Sequence, residues 1–277
     1  MSNGSHSPDT IVLIHGLWLT PRSWEQWADR YAHRGYRVLA PAWPGMEGEV
    51  EALNDDPSPI AKLTTSRIID HYEEIILELE RPPIIMGHSF GGTFTQVLLD
   101  RGLGAAGVGV ASATVKGVRD LPLSAIKVAA PALNPFKKDE AVPLTPEEFH
   151  YAFANTLSRE ESDALYRRYH VPAAGRVLRE YASANFRHEA PTAVDFRREA
   201  RAPLLFIAFG EDHVMPPKVV GHTEQKYDDA VSLTEFKEFP GRPHFPAVPG
   251  WEDVADYALS WAVKQASPSR PAHWQDP

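Results

Sequence analysis

Ser89 stands between two glycines in Gly87-His88-Ser89-Phe90-Gly91. A G-x-S-x-G spacing is what a nucleophilic hydroxyl on a sharp turn requires. Small residues at both ends let the backbone bend, and a helix behind the turn offers partial positive charge where an oxyanion would form. A serine hydroxyl is a poor nucleophile unaided. It needs a base, a group to orient that base, and N–H donors for the developing charge. The same five residues also fit a plain strand-to-helix turn with Ser89 as its cap. A second glycine motif, Gly102-Leu103-Gly104-Ala105-Ala106-Gly107, matches the dinucleotide-binding spacing. At this glycine and serine content either pattern arises by chance about 0.07 times per chain, so spacing alone does not choose between them.

The surrounding elements do choose. A dinucleotide fingerprint needs a strand before its glycines and a helix after them. Here the helix-like "GTFTQVLLDRG" (92–102) precedes and the strand-like "GVGVASA" (107–113) follows. That order reads as a helix-to-strand connection, where glycine is the usual residue. The serine motif has the required order: "PIIMGH" (83–88) leads in as a strand, and the helix leads out.

Further strand-like runs are "IVLI" (11–14) and "RVLAPA" (37–42), and amphipathic helical patterns cover 23–35 and 64–80. Strands alternating with helices of this length imply a mostly parallel central sheet flanked by helices, an α/β fold. From about 119 to 200 helices follow one another without convincing strands. "TPEEF" (145–149) and "SREES" (158–162) each fit a capping box, with a hydroxyl at the cap and a glutamate three residues on. The strand rhythm returns at 203–210 and 232–240, with helices around 217–229 and at 251–265. The expected organisation is a core from 1–118 and 201–266, a helical insertion at 119–200, and a loose tail at 267–277.

Three partners for Ser89 follow from position. "HGLW" (15–18) comes directly after the first strand, so the Leu17 N–H suits an oxyanion hole completed by the Phe90 N–H. Gly16 would keep that loop close to the turn. Asp212, in "AFGEDHVMPP", and His244, in "PGRPHFP", each lie just past a strand. An aspartate in a loop or a histidine among prolines is ordinary when taken singly. The order Ser…Asp…His, with every member beyond a strand end, is not.

On "IVLIHGLW", "MGHSFGG", "FGEDHVMPP" and "FPGRPHF", the chain resembles the α/β-hydrolase superfamily, specifically its lidded members, over about residues 10–265. The resemblance implies Ser89 as nucleophile, His244 as base, Asp212 as its orienting acid, Leu17 and Phe90 as oxyanion donors, and 119–200 as a lid. Asp212 is preferred over Glu211, Asp228 and Asp229 because its spacing to Pro216 matches the family's acid loop. Many members carry strands ahead of the "HG" strand that are missing here, which leaves the sheet's edge open. His88, beside Ser89, points away from it at a sharp turn and reads as a wall or supporting group. His15 reads as structural. Trp18, His88, Phe136, Phe149 and Phe153 are candidate pocket residues, with packing in the core as the alternative for the aromatic ones.

Composition narrows the rest. With 28 basic and 37 acidic residues, for a net charge of −9, nothing resembles a stripe for nucleic acid. The absence of cysteine excludes disulfides and thiolate chemistry. No metal-ligand motif or cofactor fingerprint in the right setting occurs, so no cofactor is expected. No apolar run reaches the ~18 residues of a membrane span, and a polar N-terminus makes a cytoplasmic protein the default. Oligomeric state is not written in the sequence. The expected activity is hydrolysis of a small, largely apolar carboxylic ester or lactone through an acyl-enzyme. Carbon–carbon bond hydrolysis, hydroxynitrile lysis, cofactor-free perhydrolysis and ligand reception without turnover stay open on the same constellation.

Overall fold

Strands as uniformly apolar as Ile11–Ile14 and Ile84–Met86 are stable only with both faces covered. The computed structural model, which describes residues 8–120, 124 and 140–266, covers them. Its strands are β1 (Thr10–Ile14), β2 (Arg37–Leu39), β3 (Ile84–His88), β4 (Ala106–Val110), β5 (Ala141–Val142), β6 (Ala173–Ala174), β7 (Leu204–Phe209) and β8 (Thr234–Phe239). Six of them form one sheet in the order β2-β1-β3-β4-β7-β8, with every neighbouring pair parallel. Parallel pairing needs crossovers, and helices supply them: α1 (Glu25–His33), α2 (Val50–Asp55), α3 (Ser58–Ala61), α4 (Thr65–Leu77), α5 (Phe90–Asp100), α6 (Pro146–Phe153), α7 (Arg159–Tyr169), α8 (Gly175–Ser183) and α9 (Pro217–Gln225), while α10 (Trp251–Gln265) follows the last strand.

Successive strand side chains point to opposite faces, and two buried clusters divide accordingly. Val12, Ile14, Ile85, Leu204 and Phe206 pack with Ile68, Ile69 and Tyr72 of α4, Phe94 and Leu98 of α5, and Val219 and Val220 of α9. The alternate residues Ile11, Leu13, Ile84, Met86, Leu205 and Ile207 pack with Trp27 and Tyr31 of α1 and Val254, Ala258 and Leu259 of α10. Residues Phe149, Phe153, Val177 and Leu178, from the helices between β4 and β7, belong to the first cluster. That segment therefore shares the core of the sheet.

Both capping boxes form. The Thr145 hydroxyl accepts from the Glu148 N–H at 3.2 Å and the Glu148 carboxylate from the Thr145 N–H at 2.8 Å. Ser158 and Glu161 repeat the exchange. Three readings of the sequence need correction. The second strand stops at Leu39 rather than running to residue 42, because Pro41 has no N–H for a ladder. The short helices α2 and α3 were not expected, since six and four residues are too few to show a period. The 119–200 stretch contains a two-stranded antiparallel ladder, β5 with β6, whose two-residue strands carry no alternation to read.

The chain steps from β1 outward to β2, which forms an edge, and then returns to β3 on the other side of β1. Loops leaving β1 and β3 thus diverge above the sheet, at the switch point where α/β sheets bind ligands. Among the described residues no helix is long and apolar enough to cross a membrane.

Candidate active site

Ser89 follows β3 directly and adopts φ 55°, ψ −117°, a conformation that costs a residue with a Cβ about 1–3 kcal/mol and persists only where its surroundings over-determine it. They do. Its N–H donates to the Val110 carbonyl at 3.0 Å, and its own carbonyl accepts from the N–H groups of Gly92 and Ala113, each at 2.9 Å. A Cβ on Gly91 would sit 2.1 Å from the Ile14 carbonyl oxygen, and one on Gly87 would sit 2.0 Å from the Gly91 oxygen. Backbones of β1, β3 and α5 therefore touch where side chains would otherwise separate them. Gly16 closes the same gap from the other loop: its Cβ would lie 2.9 Å from the Ser89 Cβ. Besides Ser89, positive φ at non-glycine residues occurs at Trp18 (62°) and Ala111 (46°). Each of the three follows the C-terminal end of a central strand, so the strain is concentrated at one end of the sheet.

Asp212 and His244, both buried, meet at 2.6 Å between Oδ2 and Nδ1. Asp212 Oδ1 also accepts from the N–H groups of Val214 at 2.7 Å and Met215 at 2.8 Å. A carboxyl that accepts from three donors acts purely as an acceptor, so the imidazole proton sits on Nδ1 and Nε2 is bare. Nε2 is buried and has no hydrogen-bond partner among the described residues, the Ser89 hydroxyl included. Such contacts are often long without substrate and tighten in the complex. The loop carrying His244 is held at its next two residues as well. The Phe245 N–H donates to the Phe153 carbonyl at 3.0 Å, and the Trp27 indole N–H donates to the Pro246 carbonyl at 3.1 Å.

The surroundings of the other anticipated residues are as follows. Leu17 is buried in the loop that Gly16 brings against Ser89. Phe90 opens α5, where a backbone N–H has no intrahelical acceptor. Its ring lies 4.8 Å from Tyr181. His15 stacks on Trp43 at 4.6 Å and points Nδ1 at the Gly16 carbonyl at 3.0 Å; burial lowers its pKa to about 4. Trp18 is buried and donates its indole N–H to the Val142 carbonyl at 3.0 Å. Phe153 meets the His244 ring edge-on at 5.0 Å, and Phe149 lies stacked beyond it at 5.0 Å. His88 is fully buried, and burial first and His244 second push its pKa well below the ordinary value. Phe136 lies outside the described residues.

Tyr181 was not anticipated. Its hydroxyl lies 2.7 Å from Thr114 Oγ1, and it accepts the Thr114 N–H at 3.2 Å. It thereby ties α8 to the loop after β4, beside Phe90. A tyrosine at one helical position gives no signal of this in sequence. Among the described residues no group of three or more histidine, aspartate or glutamate side chains is disposed to hold a metal ion.

The sheet order, the turn at Ser89 and the Ser…Asp…His arrangement past strand ends define a class, and comparison with known proteins agrees. The model of the Alpha/beta hydrolase family matches residues 11–257. The chain belongs to that family. No curated protein sequence matches it. Among solved structures, it is similar to the monoacylglycerol lipase of Paleococcus ferrophilus (20% identity, TM-score 0.66, covering 94% of this chain and 96% of that one). It is also similar to a pyrethroid hydrolase of Sphingobium faniae JZ-2 (16%, 0.65, 92% and 98%). A third similar structure is methylketone synthase I of tomato, solved with 2-tridecanone (14%, 0.67, 94% and 100%). Likeness at such identities speaks for the fold.

Proposed function

We propose that the protein is a serine hydrolase that cleaves small, largely apolar carboxylic esters or lactones through an acyl-enzyme. The observation that carries this reading is the buried His244–Asp212 contact at 2.6 Å, with the far imidazole nitrogen unpartnered among the described residues, on a loop tied to His88, next to a serine held at positive φ. In this reading His244 Nε2 takes the Ser89 proton as Oγ attacks the substrate carbonyl. Asp212 holds the tautomer that makes this possible and stabilises the imidazolium. The N–H groups of Leu17 and Phe90 receive the oxyanion, each worth about 3 kcal/mol. His244 then protonates the leaving alcohol and activates water against the acyl-enzyme. The segment 119–200 acts as a lid, and Phe153, edge-on to His244, forms part of the pocket wall.

The names of the lipase and the pyrethroid hydrolase support ester substrates for a chain of this fold. The methylketone synthase favours a second reading, in which the same residues serve other carbonyl chemistry on an apolar chain. A fluorophosphonate probe and a panel of esters and lactones of graded chain and ring size separate them. The hydrolase reading expects labelling of Ser89 and steady ester turnover, with Ser89→Ala lowering kcat on p-nitrophenyl esters by at least about 1,000-fold. A Ser89→Ala variant that kept most of its activity would sink it.

A further inference from the structure

His88 is adjacent to Ser89 in sequence, and its side chain engages the loop that carries His244. There its Nε2 lies 2.9 Å from the backbone oxygen of His244, and its ring centroid is 4.7 Å from that of His244. A carbonyl oxygen only accepts, so Nε2 must carry the proton and donate. Nδ1 is left bare, buried and without a partner among the described residues. A Cβ on Gly16 would come within 3.2 Å of this Nδ1, and the Trp24 ring stands edge-on at 6.3 Å. The imidazole is fully buried, with its proton on the His244 carbonyl.

His88 is thus the first of three successive grips on the loop 244–246. It holds the His244 oxygen from β3, the Phe153 oxygen holds the Phe245 N–H from α6, and the Trp27 indole holds the Pro246 oxygen from α1. Only the first acts on the residue whose imidazole Asp212 orients. The two contacts on His244 are complementary: Asp212 fixes the ring's Nδ1, and His88 fixes the backbone from which the ring hangs. A base must be placed within a few tenths of an ångström of the proton it removes, and a displacement of about 1 Å costs on the order of 100-fold in rate.

We propose that His88 is a positioning residue for the His244 base, acting as a neutral Nε2–H donor that clamps the His244 carbonyl and ties the base to the strand bearing Ser89. This rests on the serine hydrolase reading above. A neutral imidazole is further suited to this place because His244 becomes cationic during the reaction, and a charged neighbour 4.7 Å away would oppose it.

The test compares His88→Met, which fills the space without a donor, with His88→Gln, whose amide N–H reaches about as far as Nε2. We expect His88→Met to lower kcat on p-nitrophenyl esters, and the rate of fluorophosphonate labelling of Ser89, by about 100-fold. KM should stay within about 3-fold, and His88→Gln should recover at least about a tenth of the wild-type kcat. Long-range nitrogen-15 spectra of the histidines, assigned by the signal lost in His88→Gln, should show His88 with a protonated Nε2 and a bare Nδ1. A His88→Met enzyme with wild-type kcat, or one no worse than His88→Gln, would overturn the clamp. So would an Nδ1–H tautomer in the spectra, which are read without substrate and stand even if His88→Met fails to fold. A wild type that the probe does not label would instead remove the hydrolase reading, and the positioning role with it. A labelled wild type with unslowed His88→Met removes the positioning role alone.

Discussion

Two glycine motifs fifteen residues apart are equally common by chance and take opposite parts in the molecule. At Gly87 and Gly91 the missing Cβ would strike backbone atoms at 2.0 and 2.1 Å, while the positive φ of that turn falls on Ser89 itself. At Gly102 and Gly104 the reverse holds: the glycines take the positive φ, 80° and 82°, as a helix end demands. A Cβ at Gly107 would meet side chains rather than backbone, Leu99 at 2.4 Å and Thr95 at 3.1 Å. One motif uses glycine so that three backbones can touch, leaving the strained dihedrals to the residue with chemistry. The other uses glycine so that nothing is strained. A backbone clash has no rotamer to relieve it, whereas a side chain or a turn can adjust.

The comparison predicts that changes near Ser89 act on activity and those near Gly102 act only on stability. The largest effect is expected from Asp212→Asn, which removes the acceptor that sets the His244 tautomer. Its kcat should fall by about 10,000-fold with the fold retained by circular dichroism, and a loss under tenfold would deny Asp212 its role. Gly91→Ala should cost about 3 kcal/mol or more in urea unfolding and abolish turnover, because its Cβ and the Ile14 oxygen cannot both be accommodated. If it behaved like a mild surface change, the three-backbone contact would be wrong.

Acid should reach the strained end of the sheet next. Burial lowers the pKa of His15 and of His170 to about 4 from an ordinary 6.5. The unfolded chain takes up these protons first, so the stability they contribute is whole above pH 6.5. It drains away as pH falls from 6.5 to about 4, on the order of 3 kcal/mol for each. Thermal midpoints should be flat above pH 7 and drop through that window; a flat profile down to pH 4 would contradict buried neutral imidazoles. The smallest effect belongs to Gly102→Ala, about 1 kcal/mol, or roughly 2 °C, with kcat unchanged. A marked loss of kcat there would erase the distinction between the motifs.

Much of this was legible beforehand because it depends on local rules. Apolar runs of four to six residues, hydroxyl–glutamate pairs three apart and glycines at helix ends announce themselves, and the helix over 251–265 came out at the residues expected. The short ladder of β5 and β6 and the helix α2 did not, since two to six residues carry no period. His88 shows the other kind of limit. Its type and its place beside Ser89 were plain, but whether an imbedded imidazole serves the pocket or the neighbouring loop depends on what packs against it.

By itself, then, the sequence determined the alternation of strands and helices, the parallel sheet and the order in which serine, aspartate and histidine arrive past strand ends. Each of these follows from side-chain periodicity and turn chemistry within a few residues. Only the tertiary structure decided that Tyr181 ties α8 beside Phe90 and that His88 grips the residue 156 positions away. Those contacts join segments far apart in the chain, and no local pattern records the direction in which a buried polar atom finds its partner.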